Sequence, residues 1–252
     1  MRQGIKLFIC LTVLCHTWSS FAQKIDLGEP ENQSIQTKAA QAFISFRSNG
    51  TGMGFQREKI ISPHLNKGWR FEGGYSRQSK ERKIHSSYGD AQKGFVYGKL
   101  NHVWHLRADY GFTRIINTKP YWGGISTAYY LYGGFVTGFT WPVYLKTWYM
   151  DENNQFQIVS EAYDPQRHSL ANIYDGDAIL KGFSEMKIHP GLHLQSGLYF
   201  DFGNKDKYIM ALSFGLSGEL YMIPIEYMAG QKPDYYLLNI YLNLHIGKRF
   251  SH

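Results

Sequence analysis

The last stretch of the chain, YYLLNIYLNLHIGKRFSH (residues 235–252), alternates between two kinds of side chain. The even-numbered positions from 238 to 250 are apolar, apart from Lys248. They are Leu238, Ile240, Leu242, Leu244, Ile246 and Phe250. The other parity comprises Asn239, Tyr241, Asn243, His245, Gly247 and Arg249. Successive side chains of a β-strand point to opposite faces, so this pattern predicts a strand with one apolar and one polar face. It fits a soluble sheet, and it also fits a strand that separates lipid from a polar interior.

The same alternation recurs upstream, in residues 68–76, 100–112, 188–203 and 207–222. The polar stretch GNKDK (residues 203–207) predicts a tight turn between the last two of these segments. Near residues 49–52 the apolar parity changes, which indicates a turn or a bulge. Residues 123–149 keep one parity through Gly133 and Gly134, so they form either two strands or one long kinked strand.

These segments predict an all-β protein with about seven to nine strands, and closure of a single-chain barrel favours an even number. We therefore predict an antiparallel transmembrane β-barrel of eight strands over residues 39–252. Residues 150–187 are predicted to be a long loop or an insertion within it, containing short helical or strand pieces.

The start of the chain has the composition of a secretory signal. Arg2 and Lys6 precede an apolar stretch, and small residues follow at Ser20 and Ala22, which predicts a signal peptide over residues 1–22. Residues 23–38 are then a flexible lead-in. Both cysteines, Cys10 and Cys15, fall within the predicted signal, so disulfides and thiolate metal sites are excluded from the mature chain.

Composition favours a membrane over a soluble location. The chain is 16% aromatic, with 19 Tyr and 16 Phe, yet no apolar run after the predicted signal is long enough for a membrane helix. A membrane span would therefore be made of β-strands. Removing the signal leaves a net charge of about +5, a modest excess that could favour anionic lipid headgroups, and export excludes nucleic acid as a partner.

The polar parities carry charges of both signs, and these are our candidate site residues. They are Arg70, Glu72, Arg107, Asp109, His193, Asp201, Glu219, His245 and Arg249. In an eight-stranded barrel they would point into a lumen that side chains can fill, and the buried charges would need partners. In the alternative, a soluble antiparallel fold, the same residues would face water.

A second candidate surface is basic. Residues 77–93 contain Lys80, Arg82, Lys83 and Lys93, which could contact lipid phosphates or an acidic partner. A plain hydrophilic loop is the alternative. We expect this loop to join the second and third strands of the barrel and therefore to face the periplasm.

Catalytic and metal sites were also considered. Ser213 or Ser217 could combine with His193 and Glu219 as a serine esterase, but a chain with ten His offers many such combinations. Glu185, His189 and His193 have helical metal-ligand spacing, but in a strand the two histidines are about 13 Å apart. We predict no catalytic residues, no metal site and no cofactor.

The order of several short motifs resembles a family of small outer-membrane β-barrel proteins of Bacteroidota-type bacteria. These motifs are SNGTGMGF, FVYGKLN, LRADYGF, KPYWGG, WPVYL, YDPQRH, KGFSEMKIHPGLH and GKRF. The chain departs from the family at Met53, where the family has Trp between two glycines. It also has GDAIL (residues 176–180) in place of an Arg-containing segment. The resemblance implies an envelope location and a barrel fold. It implies no particular activity, because the family has no settled biochemical activity.

Together these observations predict an outer-membrane barrel with a plugged lumen and a non-enzymatic structural or accessory role in the cell envelope. The expected partner is outer-membrane lipid. If the accessory role involves envelope assembly or secretion, the proteins of that machinery are partners as well. A narrow solute channel and an enzyme that modifies outer-membrane lipid are the alternative functions.

Overall fold

The computed structural model describes residues 36–78, 80–85, 93–119, 124–150, 155–203 and 207–251. The predicted signal peptide, residues 1–22, lies outside the described residues, and so does most of the lead-in. The first strand begins at Gln36, so the last three residues of the predicted lead-in (36–38) belong to that strand.

Eight long strands close into an antiparallel barrel. They are β1 (Gln36–Arg47), β2 (Gly50–Ser62), β3 (Leu65–Ser76), β6 (Asn101–Asn117), β7 (Ser126–Pro142), β11 (Lys187–Asp201), β12 (Tyr208–Ile225) and β13 (Asp234–Ser251). Each strand pairs with the next one along the chain, and β13 closes the barrel on β1. The predicted eight-stranded antiparallel barrel is confirmed.

In the described part of the chain, five short strands lie outside the barrel wall. They are β4 (Lys83–Ile84), β5 (Phe95–Val96), β8 (Tyr144–Met150), β9 (Phe156–Ala162) and β10 (Ile173–Gly176). A 3-10 helix, Phe183–Glu185, precedes β11. Among the described residues, no helix is long and apolar enough to cross a membrane.

The ambiguous stretch of residues 123–149 is nearly one long strand. β7 runs without a break through Gly133 and Gly134, and β8 follows after the single residue Val143. Of the turn or bulge predicted near residues 49–52, the structure has the turn, because Ser48 and Asn49 connect β1 to β2.

The two ends of the barrel differ in their connections. Gln36 of β1 pairs with Ser251 of β13 at the end that we call the lower end, where residues 63–64, 118–125 and 202–207 also connect strands. At the upper end the connections are residues 48–49, 77–100, 143–186 and 226–233. The basic loop therefore joins the third and fourth barrel strands, β3 and β6, and the expectation that it joins the second and third was wrong. The sequence between residues 42 and 62 reads as one interrupted strand, and this hid the β1–β2 hairpin.

The strand alternation sets which side chains face inward. In β13 the side chain of Leu238 is 78% exposed on the outer wall, whereas Asn243 is fully buried in the lumen. The same division holds along the other barrel strands, with apolar residues outside and polar residues inside. The chain is therefore an inverted barrel, with its acidic barrel residues in the interior and most of its large apolar side chains on the outer wall.

The upper connections build an extension with its own apolar core. Strands β9, β8 and β10 form a three-stranded sheet, and Leu145 and Ile173 pack with Phe95, Val143 and Tyr163. The predicted insertion at residues 150–187 supplies β9 and β10, but the extension already begins with β8.

Polar contacts fasten the basic loop to this extension and to the barrel. The backbone N–H groups of Lys93 and Gly94 donate to the Asp175 carboxylate at 3.2 and 2.8 Å. Lys99 makes a buried ion pair with Glu81 of the same loop, with 2.6 Å between Nζ and Oε2, and its Nζ also donates to the hydroxyl of Tyr75 in β3 at 2.8 Å. The loop is thus held at both of its described ends.

A second polar contact lies in the extension. The Asp177 carboxylate accepts hydrogen bonds from Ser160, from Lys181 at 2.9 Å and from the backbone N–H of Ala178 at 2.8 Å. Burial alone would raise the pKa of Asp177, but these donors outweigh it and lower the pKa to about 2. The contact therefore persists as the pH falls until it approaches that value.

Candidate functional site: the charged lumen

Glu72 of β3 is the centre of a buried ionic cluster. Arg47 of β1 donates two hydrogen bonds to its carboxylate, from Nε and Nη2, each at 2.8 Å. Arg107 of β6 donates a third hydrogen bond to it at 3.2 Å. Nη2 of Arg70, also in β3, lies 3.4 Å from Oε2 of Glu72. This arrangement is favourable because a buried carboxylate needs several charged donors to offset its loss of hydration.

Arg107 carries the cluster across the lumen to β12. Its Nε and Nη2 atoms donate to Oε1 of Glu219 at 2.9 and 2.7 Å. Tyr221 donates to the other carboxylate oxygen of Glu219 and contacts His105 of β6. Arg47 also reaches β12, where it donates to Ser217 at 2.7 Å. Because β3 and β12 lie on opposite sides of the closed barrel, these contacts cross the interior of the barrel.

A second pair joins β6 to β11. Nδ1 of His193 lies 2.8 and 3.0 Å from the two carboxylate oxygens of Asp109. Both side chains are buried, and Nε2 of His193 makes no hydrogen bond with another described residue.

A third group closes the lower end of the lumen. Asp201 accepts hydrogen bonds from Lys119 at 2.8 Å, from Arg249 and from the backbone N–H of Gly203 at 2.9 Å. Lys119 lies in the connection between β6 and β7, so this contact ties a lower turn to the wall formed by β11 and β13.

Between the central cluster and the lower end, the lumen is rich in tyrosine. Tyr130 and Tyr241 share a hydrogen bond at 2.7 Å. The Glu58 carboxylate accepts hydrogen bonds from Tyr132 at 2.6 Å and Thr113 at 2.5 Å. Glu58 is buried and is satisfied by these neutral hydroxyl groups and by the amide of Gln56.

The predicted site residues thus fall into separate groups. Arg70, Glu72, Arg107 and Glu219 belong to the central cluster. Asp109 pairs with His193, and Asp201 pairs with Arg249. Nε2 of His245 lies 2.9 Å from Oγ of Ser213. The predicted basic residues Lys80, Arg82, Lys83 and Lys93 are all exposed at the upper end.

The structure does not assemble the catalytic and metal sets considered from the sequence. Ser213 contacts His245, and Ser217 contacts Arg47, so neither serine is hydrogen bonded to His193. Glu185 lies outside the barrel wall, where it accepts a hydrogen bond from Tyr144. Within the described ranges, no group of three or more His, Cys, Asp and Glu side chains is placed to hold a metal ion.

Besides Lys119, which lies in a connection, two charged lumen residues on the described barrel strands were missed in the sequence. Arg47 has the parity opposite to Ala42, Ile44 and Phe46, and this alternation could have placed it inside. Glu58 lies in β2 beyond the last residue to which the alternation was followed, and Arg57 and Lys59 beside it obscure the pattern.

Comparison with known proteins gives only distant similarities. No protein-family model matches the sequence, and no curated protein matches it. Among solved structures, a major outer membrane protein from Thermus thermophilus is similar, with a TM-score of 0.44 and 11% identity over 86% of this chain and 100% of that one. Ail, the attachment invasion locus protein of Yersinia pestis, has a TM-score of 0.39 and 10% identity over 86% of this chain and 100% of its own.

The N-terminal β-barrel domain of Pseudomonas aeruginosa OprF is similar as well, with a TM-score of 0.32 and 8% identity over 83% of this chain and 97% of that one. At such low identities and TM-scores, these similarities carry no conclusion about what this chain does.

Proposed function

We propose that this chain is an outer-membrane β-barrel protein with a plugged lumen and a non-enzymatic, structural or accessory role in the envelope. The observation that carries the proposal is the inverted barrel. Large apolar side chains such as Phe135, Leu216 and Ile240 are exposed on the outer wall, where water would surround them in a soluble protein. In a bilayer the same side chains contact lipid, and the buried ionic cluster of Glu72, Arg107 and Glu219 lies away from it.

Strand length and aromatic residues support the membrane location. The barrel strands have 12 to 18 residues, and about 9 to 11 are enough to cross a bilayer. Tyr75 and Trp104 pair on the outer wall near the upper end, and Trp69 and Tyr110 pair nearer the lower end, with ring centroids 4.8 Å apart. Aromatic side chains at two levels are typical of the two membrane interfaces.

The connections favour one orientation. Outer-membrane barrels have short turns on the periplasmic side and longer loops outside the cell. The lower end then faces the periplasm, and the extension with the basic residues Lys80, Arg82, Lys83 and Lys93 faces outward. This replaces the expectation that the basic loop faces the periplasm. An accessory role would use the extension as its contact surface, including contacts with assembly or secretion proteins.

A predicted secretory signal and the resemblance to Bacteroidota-type outer-membrane barrels support the same location. Export through the N-terminal signal would bring the chain to the periplasm before it inserts.

A narrow solute channel is the second candidate. The side-chain amide of Gln195 and Oδ1 of Asn243 are buried in the lumen and make no hydrogen bond with another described residue. Polar groups of this kind are suited to contact water or a small polar solute. The central ionic cluster opposes conduction, because any solute would have to pass between Arg107 and Glu219.

Conductance in a planar bilayer separates these two functions. We expect the wild-type protein to show no stable current steps, because the ion pairs of Glu72 and Glu219 span the lumen. The variant Arg107→Ala/Glu219→Ala removes one side chain of each sign and should admit small ions. Lys83→Gln, which changes an exposed lysine of the extension, is the matched control and should remain silent. Regular current steps from the wild-type protein would contradict the plugged lumen and favour the channel.

A further inference from the structure

A group of basic residues lies on the outer wall near the lower end of the barrel. We call it the cationic band, and it consists of Lys38, Arg57, Lys59, Lys67, Arg114 and Lys248. These residues belong to β1, β2, β3, β6 and β13, which are adjacent strands, so the band covers one side of the barrel.

The strand register places like charges directly opposite each other. Lys59 of β2 pairs with Lys67 of β3 on one side and with Lys38 of β1 on the other. Like charges in directly opposed positions destabilise a sheet. The acidic residues of β2, β3 and β6 do not relieve the repulsion between Lys59 and Lys67, because Glu58, Glu72 and Asp109 point into the lumen.

Aromatic residues lie beside the cationic band. Arg57 is opposite Trp69, and Lys67 is opposite Phe112, while Nζ of Lys248 lies 5.9 Å from the ring centroid of Phe250. In membrane proteins such a combination of aromatic rings and long basic side chains is found at the level of the lipid headgroups.

We propose that the cationic band binds the phosphate groups of phospholipids in the leaflet at the lower end, which is the periplasmic leaflet in the proposed orientation. A phosphate between Lys59 and Lys67 accepts charge-assisted hydrogen bonds from both ammonium groups and converts their repulsion into attraction. This inference rests on the proposed membrane location.

The band makes the lipid contact one-sided. Near the lower end, the outer positions of β7, β11 and β12 are occupied by Tyr129, Phe200, Met210 and Tyr208. These side chains suit acyl chains and the interface rather than an anion. Anionic lipid should therefore collect on the β1–β3 side of the barrel.

The test compares the urea midpoint of unfolding in two kinds of vesicle, read from the mobility of unboiled protein on gels. One vesicle is pure phosphatidylcholine, and in the other phosphatidylglycerol replaces part of it. We expect a higher midpoint for the wild-type protein with phosphatidylglycerol, and a smaller difference at high salt because screening weakens the contact.

The variant Lys59→Gln/Lys67→Gln should lose this difference. In pure phosphatidylcholine it should be at least as stable as the wild-type protein, because the repulsion between the lysines is removed. Lys80→Gln/Lys83→Gln removes two exposed lysines at the opposite end, and it should keep the full lipid dependence. Arg114→Gln is a milder variant that should reduce the difference if the double variant does not fold.

Equal wild-type midpoints in the two vesicles would overturn the proposal, and so would an equal loss in both double variants. Inorganic phosphate added to phosphatidylcholine vesicles should not reproduce the stabilisation; if it does, the band binds free phosphate and the lipid assignment is wrong. A wild-type protein that fails to insert into either vesicle contradicts the membrane location instead, so the two failures are distinguishable.

Discussion

Glu72→Gln is expected to be the most destabilising single substitution in the lumen, with a loss of about 3–5 kcal/mol in the free energy of unfolding. The substitution keeps the shape of the side chain and removes its charge. Arg47, Arg70 and Arg107 then share the lumen with one counter-charge fewer. Urea unfolding of the protein in vesicles, followed by tryptophan fluorescence, measures the loss.

A second substitution tests whether charge balance is the cause. Arg47→Gln added to Glu72→Gln removes one positive charge along with the negative one, so the double variant should be more stable than Glu72→Gln alone. Such coupling is expected for residues in direct contact. A Glu72→Gln protein as stable as the wild type would show that the cluster does not hold the barrel together.

Leu216→Arg on the outer wall has the second largest expected effect, a loss of about 2–4 kcal/mol in a bilayer. Leu216 lies in the middle of β12, and its side chain is 66% exposed. At this position an arginine would have to enter the hydrocarbon core, where its charge is poorly solvated.

Tyr208→Arg is the depth control for this substitution. Tyr208 is also on the outer face of β12, at its lower end, where an arginine can reach the headgroups. Its expected cost is about 0–1 kcal/mol. Equal effects at the two positions, measured by the same unfolding in vesicles, would contradict a lipid-facing outer wall.

The alternation of residues was sufficient to predict the barrel and the direction of most side chains. His245 and Leu244 are neighbours in sequence, and the period of two assigned one to the lumen and the other to the outer wall. The preference for an even number of strands then decided between the counts that the segments allowed.

Contacts across the lumen could not be predicted in the same way. Which inward residues meet depends on the stagger between strands, and this is set by the connections and by closure rather than by any one strand. His193 therefore meets Asp109, and Arg107 reaches Glu219 on a distant strand. These pairs are far apart in sequence, and no local pattern links them.

The extension was also only partly predictable. Its core combines Phe95 with Leu145 and Ile173, from two separate connections. Phe95 is about 50 residues from Leu145 in the sequence, so no local pattern predicts that the two connections pack into one unit. β8 was read as a part of the preceding strand, because the odd parity of the apolar residues continues through Val143 and Leu145.

The gel mobility of mature protein extracted from outer-membrane fractions, compared between boiled and unboiled samples, tests whether the chain forms a closed barrel in the outer membrane. A closed barrel resists the detergent until it is boiled, so we expect two different mobilities for the membrane-derived protein. Recovery in the soluble fraction with the same mobility before and after boiling would contradict it.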